Sequence, residues 1–208
     1  MVKGMNLIDL TPDQDEDLRL CDPCEKGKPL RHVRKQTEKR NLKIFDEVYI
    51  DVVMITPQGI RKKRYATIFT EKASLARWAY FHKSKNGAYE AVVKYQKMVK
   101  TQYEHIVKKW RMDEGKEYSP NRLAELAEDL GQVVELTTPY NPEQDGTSER
   151  SIGILCERTR TAMIDLSIPM ILWPLILEAM VLITNRTATS TLNGKTPYEA
   201  LTDELHPG

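Results

Sequence analysis

Ile44-Phe45-Asp46-Glu47-Val48-Tyr49-Ile50-Asp51-Val52-Val53-Met54 is the stretch that decides the fold. Val48, Ile50, Val52 and Met54 alternate with Tyr49, Asp51 and Val53, a period of two that predicts a strand with one face well buried. Asp51 falls in the middle of it, where an ionised carboxylate is costly unless a partner or a metal neutralises it. Downstream, Pro57-Gln58-Gly59 carries turn chemistry, and Tyr65 to Phe69 reads as a second strand antiparallel to the first. Leu75 to Phe81 completes a meander. Ala88 to Tyr103 has helical spacing, and His105 to Met112 reads as a fourth strand with Asp113 just past its end. Ser119 and Pro120 start a helix whose face is Leu123, Leu126, Ala127 and Leu130 and whose stop is Gly131. Val133 to Thr138 is a fifth strand and Pro139 to Gly146 a loop. The next helix places Ile152, Leu155, Cys156, Thr159, Met163 and Leu166 on one face, with Glu149 one turn upstream. This order predicts an α/β fold, a mixed five-stranded sheet flanked by helices.

Composition sets the limits around that core. The chain has 208 residues and is 40% hydrophobic, enough to fill one core. Its 31 basic and 30 acidic residues leave a net charge of +1, so no global field draws it to nucleic acid or membrane, and any basic footprint must be local. Three cysteines, Cys21, Cys24 and Cys156, are too few for a disulfide-stapled secreted domain and suit a reducing, intracellular compartment. The acidic start has no signal-peptide pattern. Ile168 to Ile183 is apolar, but it contains Pro169, Pro174 and Glu178 and falls short of the roughly 20 residues of a membrane span. It reads as a buried helix, with no membrane as partner. Three regions follow: a Cys-pair segment and basic linker (1–43), an α/β core (44–166) and a helical extension (167–208).

Three acids stand out: Asp51 in the first strand, Asp113 after the fourth, and Glu149 at the start of a helix that must press on the sheet. If the first and fourth strands are neighbours, all three converge at one sheet edge. Converging hard oxygen donors suit a pair of Mg²⁺ ions, which activate an attacking oxygen and stabilise a leaving one in phosphoryl transfer. The three residues are similar to the acidic triad of retroviral and retrotransposon integrases. Asp113-Glu114-Gly115-Lys116-Glu117-Tyr118 resembles the family's Asp-Asn-Gly-x-Glu-Tyr. Thr138-Pro139-Tyr140-Asn141-Pro142-Glu143-Gln144-Asp145-Gly146-Thr147-Ser148-Glu149-Arg150 resembles its Thr-Pro-Tyr-Asn-Pro-x-x-Asn-Gly-x-x-Glu-Arg. Leu172-Trp173, Asn185-Arg186 and Lys195-Thr196-Pro197-Tyr198-Glu199 are similar to the tail of copia-type elements.

The resemblance implies a ribonuclease H-like fold, Asp51, Asp113 and Glu149 as catalytic ligands of Mg²⁺ or Mn²⁺, and the joining of element DNA ends to target DNA by a homo-oligomer working in the nucleus. It also sets Tyr140 and Asn141, with Arg150, beside the DNA strand. Glu114 departs from the family's Asn and adds negative charge next to Asp113. The alternative reading is therefore a catalytically inactive, domesticated or decayed nucleic-acid-binding remnant of a retrotransposon polyprotein. Cys21-Asp22-Pro23-Cys24 resembles the second half of the family's His-His-Cys-Cys zinc domain. Two thiolates are half a tetrahedral site, so zinc binding that is weak or absent is the expectation. The linker from Lys26 to Lys43 and Arg150, Arg158 and Arg160 are the candidates for phosphate contact, and Arg61-Lys62-Lys63-Arg64 falls in a hairpin, where exposed basic residues are ordinary, with DNA contact and nuclear import as the functional alternatives.

Overall fold

The computed structural model describes residues 42–113, 120–137 and 142–205; at residues 113, 120–122, 137, 142–151 and 204–205 it describes backbone alone. The strands are β1 (Glu47–Gly59), β2 (Lys63–Glu71), β3 (Arg77–His82), β4 (Lys109–Asp113) and β5 (Val133–Thr137). The helices are α1 (Gly87–Tyr103), α2 (Pro120–Asp129), α3 (Pro142–Asp165), α4 (Trp173–Asn185) and α5 (Pro197–Leu205). One sheet runs in the order β3-β2-β1-β4-β5. The first three strands form an antiparallel meander, while β4 joins β1 and β5 joins β4 in parallel. The mixed five-stranded α/β sheet is the one that alternation and element order predict.

Alternation along β1 sorts the core into two clusters. Val48 and Ile50 join Phe69, Trp110 and Met112 beneath α1 and α2, where Tyr95, Val99 and Leu123 close over them. Val53 and Ile55 point the other way and join Ala66 and Ile68 under α3 and α4, against Leu155, Met163, Trp173 and Leu177. Each such side chain removed from water stabilises the fold by roughly 1.5–3 kcal/mol. Tyr95 stacks on Phe69 with centroids 4.2 Å apart. Polar groups inside the first cluster are chained: Trp110 Nε1 donates to Gln132 Oε1, and Gln132 Nε2 donates to Gln96 Oε1, both at 2.8 Å.

Several expectations shift. Pro57-Gln58-Gly59 is not the turn, because β1 runs on to Gly59 and the chain reverses at Ile60–Lys62, with Arg61 and Lys62 at φ 55° and 60°. Tertiary packing holds the segment against the start of α4: Trp173 Nε1 donates to Pro57 O at 3.1 Å, and a Cβ on Gly59 would come within 2.5 Å of Pro174 Cγ. β4 starts at Lys109 and includes Asp113 as its last residue. α3 begins at Pro142, so five of the eight residues of the expected loop are helix, with proline at the first position where its missing N–H is no loss. Leu166 lies beyond α3 and is 66% exposed, not on the buried face. The apolar run is buried on one side only. α4 lays Trp173, Leu177 and Val181 on the sheet and leaves Leu175, Leu182 and Ile183 about half exposed. Met170–Leu192 has the length and hydropathy of a membrane crossing, but α4 ends at Asn185 within it.

Candidate active site

The β1–β4 register runs Glu47 with Lys109, Val48 with Trp110, Tyr49 with Arg111 and Ile50 with Met112. One step on, Asp51 comes alongside Asp113, whose other neighbour is Thr137 on β5. Neighbouring strands lie about 4.8 Å apart, so the two aspartate positions adjoin where β4 ends. On its other flank Asp51 pairs with Ile68 of β2, and the residue is half-buried. By alternation Asp51 shares the sheet face of Val53, the face that α3 covers.

Glu149 rides on α3. Leu155 of the same helix is fully buried against Ala66 and Ile68, which anchors α3 over β1 and β2. At a 1.5 Å rise per residue the Glu149 backbone lies about 9 Å up the axis from Leu155. The structure thus brings the positions of Asp51 and Asp113 together and sets the helix of Glu149 on the same face. Cys21, Cys24, Tyr140 and Asn141 lie outside the described residues, and Arg150 is placed in α3 by its backbone. Arg158, a candidate for phosphate, donates through Nη1 to Thr184 Oγ1 at 2.9 Å and so ties α3 to α4. Among the described residues no three His, Cys, Asp or Glu side chains form a ready-made metal cluster.

Next to the two aspartates lies an ion-pair lattice that sequence reasoning missed. Arg111, 5% exposed, reaches Glu47 Oε1 from Nε and Glu135 Oε1 from Nη2, each at 3.1 Å. Lys72 pairs with Glu47, and Lys109 meets Glu135 Oε2 at 3.0 Å. The Arg111 guanidinium and the Lys72 ammonium also lie 5.9 and 5.3 Å from the Tyr49 ring centroid. Burial lowers the affinity of Arg111 for its proton, but Glu47, Tyr49 and Glu135 more than reverse this and hold its pKa above the ordinary value. Burial likewise acts to raise Glu135, yet Lys109 and Arg111 prevail and keep it below the usual carboxylate range. Lys109 and Arg111, on the strand that ends at Asp113, are therefore engaged by carboxylates of the lattice. The available signal was alternation: Glu47, Tyr49 and Asp51 on β1, and Lys109, Arg111 and Asp113 on β4, are polar at every second residue.

No family model matches the chain. It is 26% identical over 185 residues to the retrovirus-related Pol polyprotein from transposon TNT 1-94 of Nicotiana tabacum, covering 88% of this chain and 14% of that polyprotein. With the Pol polyprotein from transposon RE1 of Arabidopsis thaliana it is 25% identical over 182 residues, 87% of this chain and 12% of that one. The chain therefore spans about an eighth of the length of these relatives. Among solved structures, the catalytic core domain of BIV integrase superposes with a TM-score of 0.57 at 20% identity, over 78% of this chain and 97% of that one. A simian T-cell lymphotropic virus intasome in complex with the PP2A regulatory subunit B56 gamma gives 0.62 at 18% identity, over 91% and 66%.

Proposed function

Because the chain is a relative of retrotransposon Pol polyproteins and has the fold of retroviral integrase catalytic cores, we propose that it is an integrase catalytic domain joining DNA 3′ ends to target DNA. The observation that carries this reading is the β1–β4 register, which sets Asp51 alongside Asp113. Asp51, Asp113 and Glu149 would together hold divalent metal. They offer only carboxylate oxygens, hard donors that fit Mg²⁺ or Mn²⁺. When bound, such ions activate the attacking oxygen and stabilise the leaving one. The chain's own part is positional. Pairing with Ile68 of β2 holds Asp51, the ladder to β5 holds Asp113, and the packing of Leu155 holds the helix of Glu149. Tyr140, Asn141 and Arg150 would orient the strand, so that a 3′-hydroxyl faces phosphorus in line with the bond that breaks. In the same reading the protein works in the nucleus as a multimer on paired ends. The inactive-remnant reading has only Glu114, in place of the family's Asn, in its support.

Strand transfer on a defined DNA end, titrated with Mg²⁺ and Mn²⁺, tests the proposal. Asp51→Asn and Asp113→Asn are each expected to lower the rate about a hundredfold to a thousandfold, the loss typical when one preorganised electrostatic group is removed. Equal rates in parent and variants end it.

A further inference from the structure

We propose that the tip of the β1–β2 hairpin and the turn from β3 into α1 form one surface that grips the phosphate backbone of duplex DNA, beyond Asp51 at the end of the sheet. The choice of DNA rests on the proposed function; the surface itself rests on charge and geometry. Residues 61–94 hold nine basic and two acidic residues in a chain whose net charge is only +1. Glu71 and Arg77 are both buried and Lys72 is paired with Glu47, which leaves seven basic residues against one acid, Glu90. Arg61, Lys62 and Arg64 are exposed, and none makes an ion pair among the described residues.

The hairpin is braced on both sides. Toward α4, Trp173 Nε1 holds Pro57 O and Gly59 lies against Pro174. Toward α1, Lys63 Nζ donates to Phe81 O at 2.7 Å, and the Tyr65 ring stacks on His82 at 5.6 Å and 7°. His82 in turn donates from Nδ1 to Ser84 O at 2.6 Å and accepts through Nε2 from Thr67 Oγ1 at 2.9 Å, which fixes the β3–α1 turn. Gly87 permits this approach, since a Cβ there would fall 2.4 Å from His82 Cβ. A cavity of about 300 Å³ opens between the two segments, lined by Lys63, Lys83 and Lys94 and opposed by one carboxylate, Glu90. The first turn of the 17-residue α1 also lines it, bringing the positive end of the helix dipole. Lysines, arginines and a helix N-terminus are the groups that take phosphate oxygens without reading sequence. Tyr65 pairs with Met54, three residues after Asp51, so the surface begins about 10 Å along the strand from the aspartates, about three phosphates of one DNA strand.

The test is binding of a labelled 30-base-pair duplex in EDTA across a salt series, with no chemistry possible. Arg61→Gln/Lys62→Gln/Arg64→Gln is expected to weaken binding at least tenfold and to flatten the slope of log K against log salt by about two to three. Lys83→Gln/Lys94→Gln, on the other wall, is expected to flatten it by about one to two. Lys97→Gln/Lys100→Gln removes exposed charge farther along α1 and is expected to change little. Thermal melting is expected to be unchanged in all three. Equal losses in the Lys97/Lys100 control, or no loss in the first two variants, overturn the proposal. So does tighter binding of an RNA duplex that vanishes with the same substitutions, which gives the surface to RNA. A chain that shows the expected binding pattern but no metal-dependent strand transfer refutes the proposed function and leaves the phosphate surface standing.

Discussion

Arg111 is where the chemistry of single residues is most exposed to test. It lies 5% exposed between Glu47 and Glu135, two residues before Asp113 on β4. Arg111→Met keeps much of its volume but leaves Glu47, itself 4% exposed, buried with a single cation, Lys72. Breaking a buried pair from one side typically costs about 3–5 kcal/mol, so urea unfolding is expected to show a loss in that range. Glu47→Gln combined with Arg111→Met is expected to recover part of it, because no uncompensated charge remains. A loss below about 1 kcal/mol in the single variant contradicts the lattice. Asp51 was legible in the sequence because a carboxylate between Ile50 and Val52 is anomalous within three residues. Arg111 was not, since its partners sit on strands whose adjacency only the folded register reveals.

Elements show what the motif words encode. Lys195-Thr196-Pro197-Tyr198-Glu199 is a capping box for α5: Thr196 N donates to Glu199 Oε2 at 2.8 Å, Glu199 N donates to Thr196 Oγ1 at 3.0 Å, and Pro197 opens the helix. Asn185 covers the outer edge of β3, accepting from Arg77 N at 2.9 Å and donating to Arg77 O at 2.7 Å. Trp173 ties the end of β1 to α4 through Pro57 O. These words resemble a family, yet each does a structural task. Thr196→Ala is expected to cost about 1 kcal/mol by thermal unfolding. Leu155→Ala, which empties a buried site between α3 and the sheet, is expected to cost about 2–5 kcal/mol and to lower strand transfer through the helix of Glu149, without touching an acid. If activity per folded molecule is unchanged, α3 does not position that residue. Local signals found both helices, but they misplaced the start of α3 and the hairpin turn, because Pro142 and Gly59 are read locally as breakers and only packing decides otherwise.

Across the whole molecule, element order and the mixed sheet were legible, while charge distribution was not: a net of +1 conceals a basic hairpin edge and carboxylates engaged by lysine and arginine inside the sheet. That separation sets the response to acid. Burial acts to raise both Asp46 and Glu135, but Lys108 and Lys43 hold Asp46 below its ordinary value, as Lys109 and Arg111 hold Glu135. Each group therefore binds its proton more weakly folded than unfolded. Their contribution is fully present above the unfolded values of 3.8 and 4.5 and is lost as pH falls through the lower folded ones. Glu71 runs the other way, because burial raises it against hydrogen bonds from Ser74, Ala73 and Phe45. Its contribution is full below 4.5 and is lost as pH rises through its folded value. Glu135→Gln isolates the first effect. With the side chain 30% exposed, solvent screening limits the gap between parent and variant to about 1 kcal/mol or less at pH 7. Urea midpoints taken downward from pH 7 are expected to show that gap closing below pH 4.5, where the Glu135 carboxylate takes up its proton and the lysine and arginine lose their partner. A gap as wide at pH 3 as at pH 7 means that Glu135 acts by packing and not by charge.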